Sequence, residues 1–185
     1  EPAAVPAAPP NRRDDTMQLL IIRHAIAEDR VVHAQLGRND DERPLTAKGV
    51  ERMRQGAAGL RRLVPRVDVL ASSPLARAQQ TAAIVQDALD APKPMLRDEL
   101  APGAKPAALA EWLAFLPSDG IVAVVGHEPH LSELIGWLTT GEARSTVELK
   151  KGAACLLEVG SRPQAGSAVL RWLLTPKQLR LLAAT

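Results

Sequence analysis

The run Leu19-Leu20-Ile21-Ile22-Arg23-His24-Ala25 constrains the fold more than any other stretch of the chain. Four apolar residues in succession, without polar alternation, predict a strand buried on both faces, as in a parallel sheet covered by helices. Open α/β sheets bind ligands at the carboxyl ends of their strands. There this run delivers a guanidinium and an imidazole together. Two further apolar runs end in the same way. Val67-Asp68-Val69-Leu70-Ala71 leads into Ser72-Ser73-Pro74 and then Arg77, and Ile121-Val122-Ala123-Val124-Val125 leads into Gly126-His127-Glu128-Pro129. One histidine alone is more often structural than functional, but in a parallel sheet these three ends converge on one edge. Two guanidiniums and a second imidazole form a pocket for a dianionic phosphoryl group, with arginine able to bind bidentately. His24 is the candidate nucleophile.

The connecting segments read as helices and turns. Ala25 to Glu42 is polar and irregular, long for a plain connection, and such loops beside a site are often lids or substrate contacts. Thr46 is a predicted N-cap, with Leu45 stapling to Val50, and Val50, Met53, Ala57, Leu60 and Leu63 form one apolar stripe that Pro65 ends. Ser73 as N-cap with Pro74 at the first helical position opens a second helix, whose buried stripe is Leu75, Ala78, Ala82, Val85 and Leu89. Arg77 falls in its first turn, off the stripe, where a cation opposes the helix dipole unless something negative is near. A short edge strand at 95–97, a turn at 98–103 and a short helix at 106–116 follow, with Trp112 and Phe115 read as core. Pro129 opens a helix with the apolar face Leu131, Leu134, Ile135 and Leu138. Two strands near 153–159 and 168–174 and a terminal amphipathic helix at 176–182 complete the chain. The expected fold is a three-layer α/β/α sandwich with a mixed, mainly parallel central sheet.

Composition narrows the function classes. The chain of 185 residues suits one domain with a full core. We expect residues 1–16, rich in Ala and Pro, to be a disordered leader and residues 17–185 a single catalytic domain. A net charge of +2 and 2% aromatic residues argue against nucleic-acid partners. No apolar run approaches a membrane span, so no membrane partner is expected. The single cysteine, Cys155, permits no internal disulfide, which fits a reducing, cytoplasmic setting. Mid-strand, it reads as a packing thiol. It also misses the Cys-x5-Arg spacing of cysteine phosphatases. No phosphate-binding Gly-x4-Gly-Lys-Ser/Thr loop is present. His127-Glu128-Pro129-His130 lacks the spacing of a zinc helix, and His33 and His130 read as surface or packing residues.

Taken together, Arg23-His24, Arg43-Pro44-Leu45-Thr46-x-x-Gly49, Ser72-Ser73-Pro74-x-x-Arg77-x-x-x-Thr81 and Gly126-His127 resemble the histidine phosphatase superfamily, which includes the phosphoglycerate mutases. The motifs span Leu19 to Leu138. The compact size, with no large insertion, looks most like the bacterial SixA-type phosphohistidine phosphatases. The resemblance implies that His24 attacks phosphorus and is transiently phosphorylated. It also implies that Arg23, Arg77 and His127 hold the transferring oxygens and that water hydrolyses the phosphohistidine, with no metal and no cofactor. Arg43 matches a further substrate-binding position. Glu99 stands where larger relatives carry a general acid, although an N–P bond leaves easily once its imidazole takes a proton. The familiar Arg-His-Gly is here Arg-His-Ala, which Ala25 permits if its φ is negative.

The implied activity is a metal-independent phosphatase whose substrate is phosphohistidine on a signalling protein. A small-molecule phosphomonoester phosphatase or mutase, acting on small phosphate esters, is the alternative within the enzyme class. A non-catalytic phosphate-binding regulatory module is the alternative outside it, though such a module has no need of a nucleophile.

Overall fold

The computed structural model describes residues 16–184. The expected leader at 1–16 lies outside them, except Thr16, which begins the first strand.

That strand, β1 (Thr16–Arg23), carries the logic of the architecture. Successive side chains alternate between the faces of a strand. Leu20 and Ile22 accordingly enter one apolar cluster, and Met17, Leu19 and Ile21 enter another. Both clusters are covered by helices, so all five side chains are fully buried. On the first face lie α2 (Ala47–Leu63), α3 (Ala76–Leu89) and α6 (Pro176–Ala183), represented in the cluster by Leu60, Val85 and Leu179. On the second lie α4 (Pro106–Leu113) and α5 (His130–Thr140), represented by Leu109, Leu113 and Leu134. The α/β/α sandwich is thus the one the apolar runs predict.

The sheet contains β1, β2 (Val69–Ser72), β3 (Met95–Leu96), β4 (Ile121–Gly126), β5 (Ala154–Gly160) and β6 (Val169–Leu174) in the order β3-β2-β4-β1-β5-β6. β1 through β4 are mutually parallel, β5 is antiparallel to β1, and β6 is antiparallel to β5. Only β5 therefore runs against the rest, and the sheet is mixed and mainly parallel as expected. The parallel register of β1 and β4 pairs Arg23 with Gly126, which sets His24 beside His127. Among the described residues, no helix is long and apolar enough to cross a membrane.

Several local expectations are corrected. The 25–42 stretch is partly ordered as α1 (Arg30–Gln35), capped by Asp29, and a 3-10 turn at Asp40–Glu42. Thr46 caps α2 by accepting from the Gly49 amide, as predicted. The buried face of α2 is rotated, however: Leu63 is 41% exposed, and Gly49, Gly56 and Gly59 are buried instead. The reason is close backbone approach. A Cβ on Gly49 would lie 2.0 Å from the Ile26 carbonyl oxygen, and one on Gly59 would lie 1.8 Å from that of Leu179. Glycine was silent in the apolar stripe because its contribution is the absence of a side chain. Phe115, expected in the core, is 87% exposed, because α4 ends at Leu113 before its face can carry Phe115 inward. α3 begins at Ala76 with Leu75 as N-cap, so Ser73 and Pro74 precede the helix, and Pro129 stands at the N-cap of α5 rather than inside it.

Candidate active site

The peptide of His24 is fixed from three sides. Its N–H donates to the Gly126 carbonyl at the end of β4 (3.0 Å), and its carbonyl accepts from the Gly152 amide just before β5 (3.1 Å). The next amide, Ala25, donates to Thr81 Oγ1 on α3 (3.0 Å). Thr81 Oγ1 in turn donates to the Arg77 carbonyl (2.7 Å). Ala25 is buried, and it is not among the residues with positive φ, so its methyl is accommodated without strain.

The imidazole of His24 is 5% exposed, and its Nδ1 lies 2.7 Å from the Ala25 carbonyl oxygen. A carbonyl only accepts, so Nδ1 carries the proton. Burial foremost, and then the charges of Arg77, Arg23 and Lys151, push the pKa of His24 down to about 3 against the pull of that hydrogen bond. A neutral ring protonated at Nδ1 leaves Nε2 with its lone pair, the state a nitrogen nucleophile requires.

His127 faces it, with ring centroids 5.0 Å apart and planes tilted by 52°. It too is held neutral: burial, then the neighbouring His24, Arg77, His130 and Arg23, lower its pKa to about 3. Its Nε2 lies 2.9 Å from Ser73 Oγ. Ser73 Oγ also accepts from the Leu75 amide (3.3 Å), and its hydroxyl proton is free to donate to Nε2. In that arrangement His127 bears its proton on Nδ1, a buried atom with no protein partner. Ser73 thus orients His127, a role the sequence concealed behind the ordinary look of a helix cap.

Arg23 donates from Nη1 to the Leu149 carbonyl (2.7 Å). Arg77, 4% exposed, donates from Nη1 to the Asp40 carbonyl (2.8 Å) and pairs through Nη2 with Asp40 Oδ2 (3.2 Å). Arg43, also buried, donates from Nε to Asp40 Oδ1 (2.8 Å) and from Nη1 to the Glu28 carbonyl (2.7 Å). Asp40 is therefore the negative partner that Arg77 needs in the first turn of α3. Burial favours its neutral form, but Arg43, Arg77 and Arg30 override that and hold its pKa at about 2. Among the described residues, six buried side-chain nitrogen or oxygen atoms have no partner, and three of them, Arg23 Nε, Arg77 Nε and His127 Nδ1, belong to this cluster. Each unmet donor costs about 1–3 kcal/mol, so the cluster is built to receive acceptor oxygens.

His24, Arg23, Arg77 and His127 come together as the strand ends predict. Arg43 stands behind Arg77, joined to it through Asp40. Glu99 is paired with Arg97: both its carboxylate oxygens accept from that guanidinium (2.6 and 3.1 Å), which lies over the Trp112 ring. A second carboxyl adjoins the cluster in sequence. Glu128, next to His127, has its pKa raised by burial, accepts from Ser132 Oγ and feels the charge of Arg23, and its Oε1 is buried without a partner. The sequence read Ser73 as a helix cap and gave Asp40 and Glu128 no role in the site. Cys155 is buried, its thiol pushed up to about 12 by burial, as a packing residue should be. His33 bridges Glu28 and the Asn39 carbonyl. Among the described residues, no group of three His, Cys, Asp or Glu side chains could hold a metal ion.

Comparison with known proteins agrees with this geometry. Residues 19–101 match the model of the histidine phosphatase superfamily, branch 1. A Picosynechococcus protein, itself uncharacterized, is 36% identical over 167 residues, covering 88% of this chain and 99% of its own length. The phosphohistidine phosphatase SixA of Escherichia coli is 28% identical over 171 residues, with 91% and 99% covered. The structure of the protein histidine phosphatase SixA complexed with tungstate superposes with a TM-score of 0.75 at 26% identity, over 88% of this chain and 99% of that one. A phosphoglycerate mutase from Plasmodium falciparum shares the fold, with a TM-score of 0.59 at 18% identity over 85% of this chain and 89% of that one. From the strand-end histidines, the paired arginines and these relatives together, the chain belongs to the histidine phosphatase superfamily and is SixA-like within it.

Proposed function

We propose that this protein is a metal-independent phosphatase that removes phosphate from phosphohistidine on a partner protein. The observation that carries the reading is the neutral His24, its Nδ1 tied to the Ala25 carbonyl and its Nε2 left as a lone pair between two arginines and a second imidazole.

Nε2 of His24 attacks phosphorus as the N–P bond of the substrate breaks. The bond's electron pair goes to the leaving imidazole nitrogen, which takes up a proton. Arg23, Arg77 and the Nδ1–H of His127 stabilise charge on the three equatorial oxygens as it develops. Water then attacks the phosphorus on His24, releasing inorganic phosphate and restoring the ring. A phosphoramidate asks less of a proton donor than an alkyl ester does, which suits a site whose candidate acid Glu99 is tied to Arg97. The likeness to SixA points the same way.

Rapid quench with a labelled phosphodonor tests the reading. Acid-labile, alkali-stable label should appear on wild type and be absent from His24→Ala; label that persists in the variant excludes His24 as nucleophile. Turnover should be unchanged by chelator, and loss of activity would bring back a metal. A screen of phosphohistidine proteins against sugar and nucleotide phosphates identifies the substrate class.

A further inference from the structure

A cleft of about 310 Å3 reaches Ala25, the residue that follows His24. Its inner surface includes Ala25, Ile26 and Met53, and Gly152, whose amide holds the His24 carbonyl, lies on its wall. Five cations line it: Arg52 from α2, Lys150 and Lys151 from the segment before β5, and Lys177 and Arg180 from α6. No acidic residue lines it. Among the described residues, none of the five enters an ion pair or a side-chain hydrogen bond, whereas Arg30, Arg43, Arg77, Arg97 and Arg171 all do. In a chain whose net charge is only +2, five uncompensated cations around one cleft make a concentrated positive field.

We propose that this cleft receives acidic side chains flanking the phosphohistidine of the protein substrate, so that the enzyme selects acidic segments. The inference rests on the phosphohistidine reading. The transferring phosphoryl group already has Arg23, Arg77 and His127. The additional cations come from three separate elements, an arrangement that matches several carboxylates in a chain better than one compact second phosphate. The apolar inner surface accommodates the methylene groups of glutamate. Because the cations are mostly exposed, the contribution of each pair is modest and salt-sensitive.

Two synthetic peptides test this, each phosphorylated on a central histidine with phosphoramidate, one flanked by four glutamates and the other by four glutamines. At low salt, wild type should show a kcat/KM ratio of roughly tenfold in favour of the acidic peptide, the size expected of two or three exposed ion pairs. The ratio should fall toward one in Arg52→Gln/Lys150→Gln/Arg180→Gln and, in wild type, as potassium chloride is raised. Equal kcat/KM for the two peptides, or a preference that survives both the substitutions and high salt, overturns the cleft assignment while leaving the phosphohistidine reading standing. Failure to release phosphate from either peptide, with turnover of an aryl phosphate intact, overturns the reading on which it rests.

Discussion

A neutral imidazole buried among cations leaves a signature in stability. His24 and His127 each have a pKa of about 3 in the folded chain, against about 6.5 for an unperturbed imidazole. Between these values the unfolded chain binds protons that the native state refuses, so stability is fully present above about pH 7 and lost as pH falls. At pH 5 each histidine withdraws about 2 kcal/mol, and the pair about 4 kcal/mol, a large part of the 5–15 kcal/mol typical of a domain. The result hardly depends on how far below 5 the native pKa values lie, because at pH 5 the native imidazoles are already neutral. Asp40, depressed to about 2, contributes stability that is lost only below about pH 4, so it does not act in this window. Glu128, raised by burial, works in the opposite sense, and burial of His130 works in the same sense.

Those neighbours are shared by wild type and by His24→Asn, whose side-chain amide can still donate to the Ala25 carbonyl. Urea denaturation at pH 7.5 and pH 5.0, in buffers free of phosphate so that no ligand stabilises the native state, isolates His24. Wild type should lose about 2 kcal/mol more between the two pH values than the variant does. Equal losses would mean that His24 takes up its proton while folded. His24 would then be an imidazolium at pH 5, and burial among cations would not be what keeps its lone pair free.

Four further substitutions probe the site and the helix that packs behind it. Asp40→Asn should lower stability at pH 7 by about 1–2 kcal/mol after solvent screening, a difference that shrinks as pH falls toward 2, and should reduce kcat/KM for an aryl phosphate by about 10–100-fold as Arg77 and Arg43 lose their common anchor; steady-state kinetics equal to wild type would refute the anchoring role. Ser73→Ala should lower kcat by about tenfold with little change in KM, the equivalent of one hydrogen bond that sets the tautomer of His127, and an unaltered kcat would remove Ser73 from the site. Gly49→Ala should destabilise by at least about 2 kcal/mol because its methyl meets the Ile26 carbonyl at 2.0 Å, whereas Gly56→Ala, whose nearest neighbour lies 3.8 Å away, should be neutral or slightly stabilising in thermal melts.

The parts of the site legible in the sequence are those that lie on strands. Leu19–Ile22 and Ile121–Val125 announce themselves as buried strands because every position is apolar, and a strand's carboxyl end is a predictable place. His24 and His127 could therefore be placed on one edge before any coordinates were known. Arg77 was legible as a cation in the wrong place on a helix, but its partner was not. Asp40 is one of four acidic residues within 40–51, and only the path of the loop over α3 decides which of them meets Arg77 and Arg43. Ser73 satisfies the local rules for a helix cap, yet α3 starts three residues later and the hydroxyl turns to His127. Phe115 and Leu63 failed because an apolar residue at helical spacing is buried only while the helix continues and something covers that face.

The direction of β5 matters most to the chemistry and was least visible beforehand. Had β5 run parallel to β1, its first residues would lie at the far edge of the sheet, away from His24. Because it is antiparallel, the chain enters the sheet where β1 leaves it. The Gly152 amide can then close on the carbonyls of both Arg23 and His24 (3.2 and 3.1 Å). The same reversal brings Lys150 and Lys151 to the rim of the nucleophile's edge, and β6, turning back again, ends there at Leu174 so that α6 begins beside them. The parallel half of the sheet, β2, β4 and β1, thus positions the groups proposed to hold a phosphoryl group, and the reversed strand with its neighbour supplies the positive cleft next to them. On this account the phosphate chemistry and the choice of flanking sequence sit on opposite sides of β1. Substitutions in the cleft should therefore change which peptide is chosen while leaving the acid-labile phosphate on His24 in place.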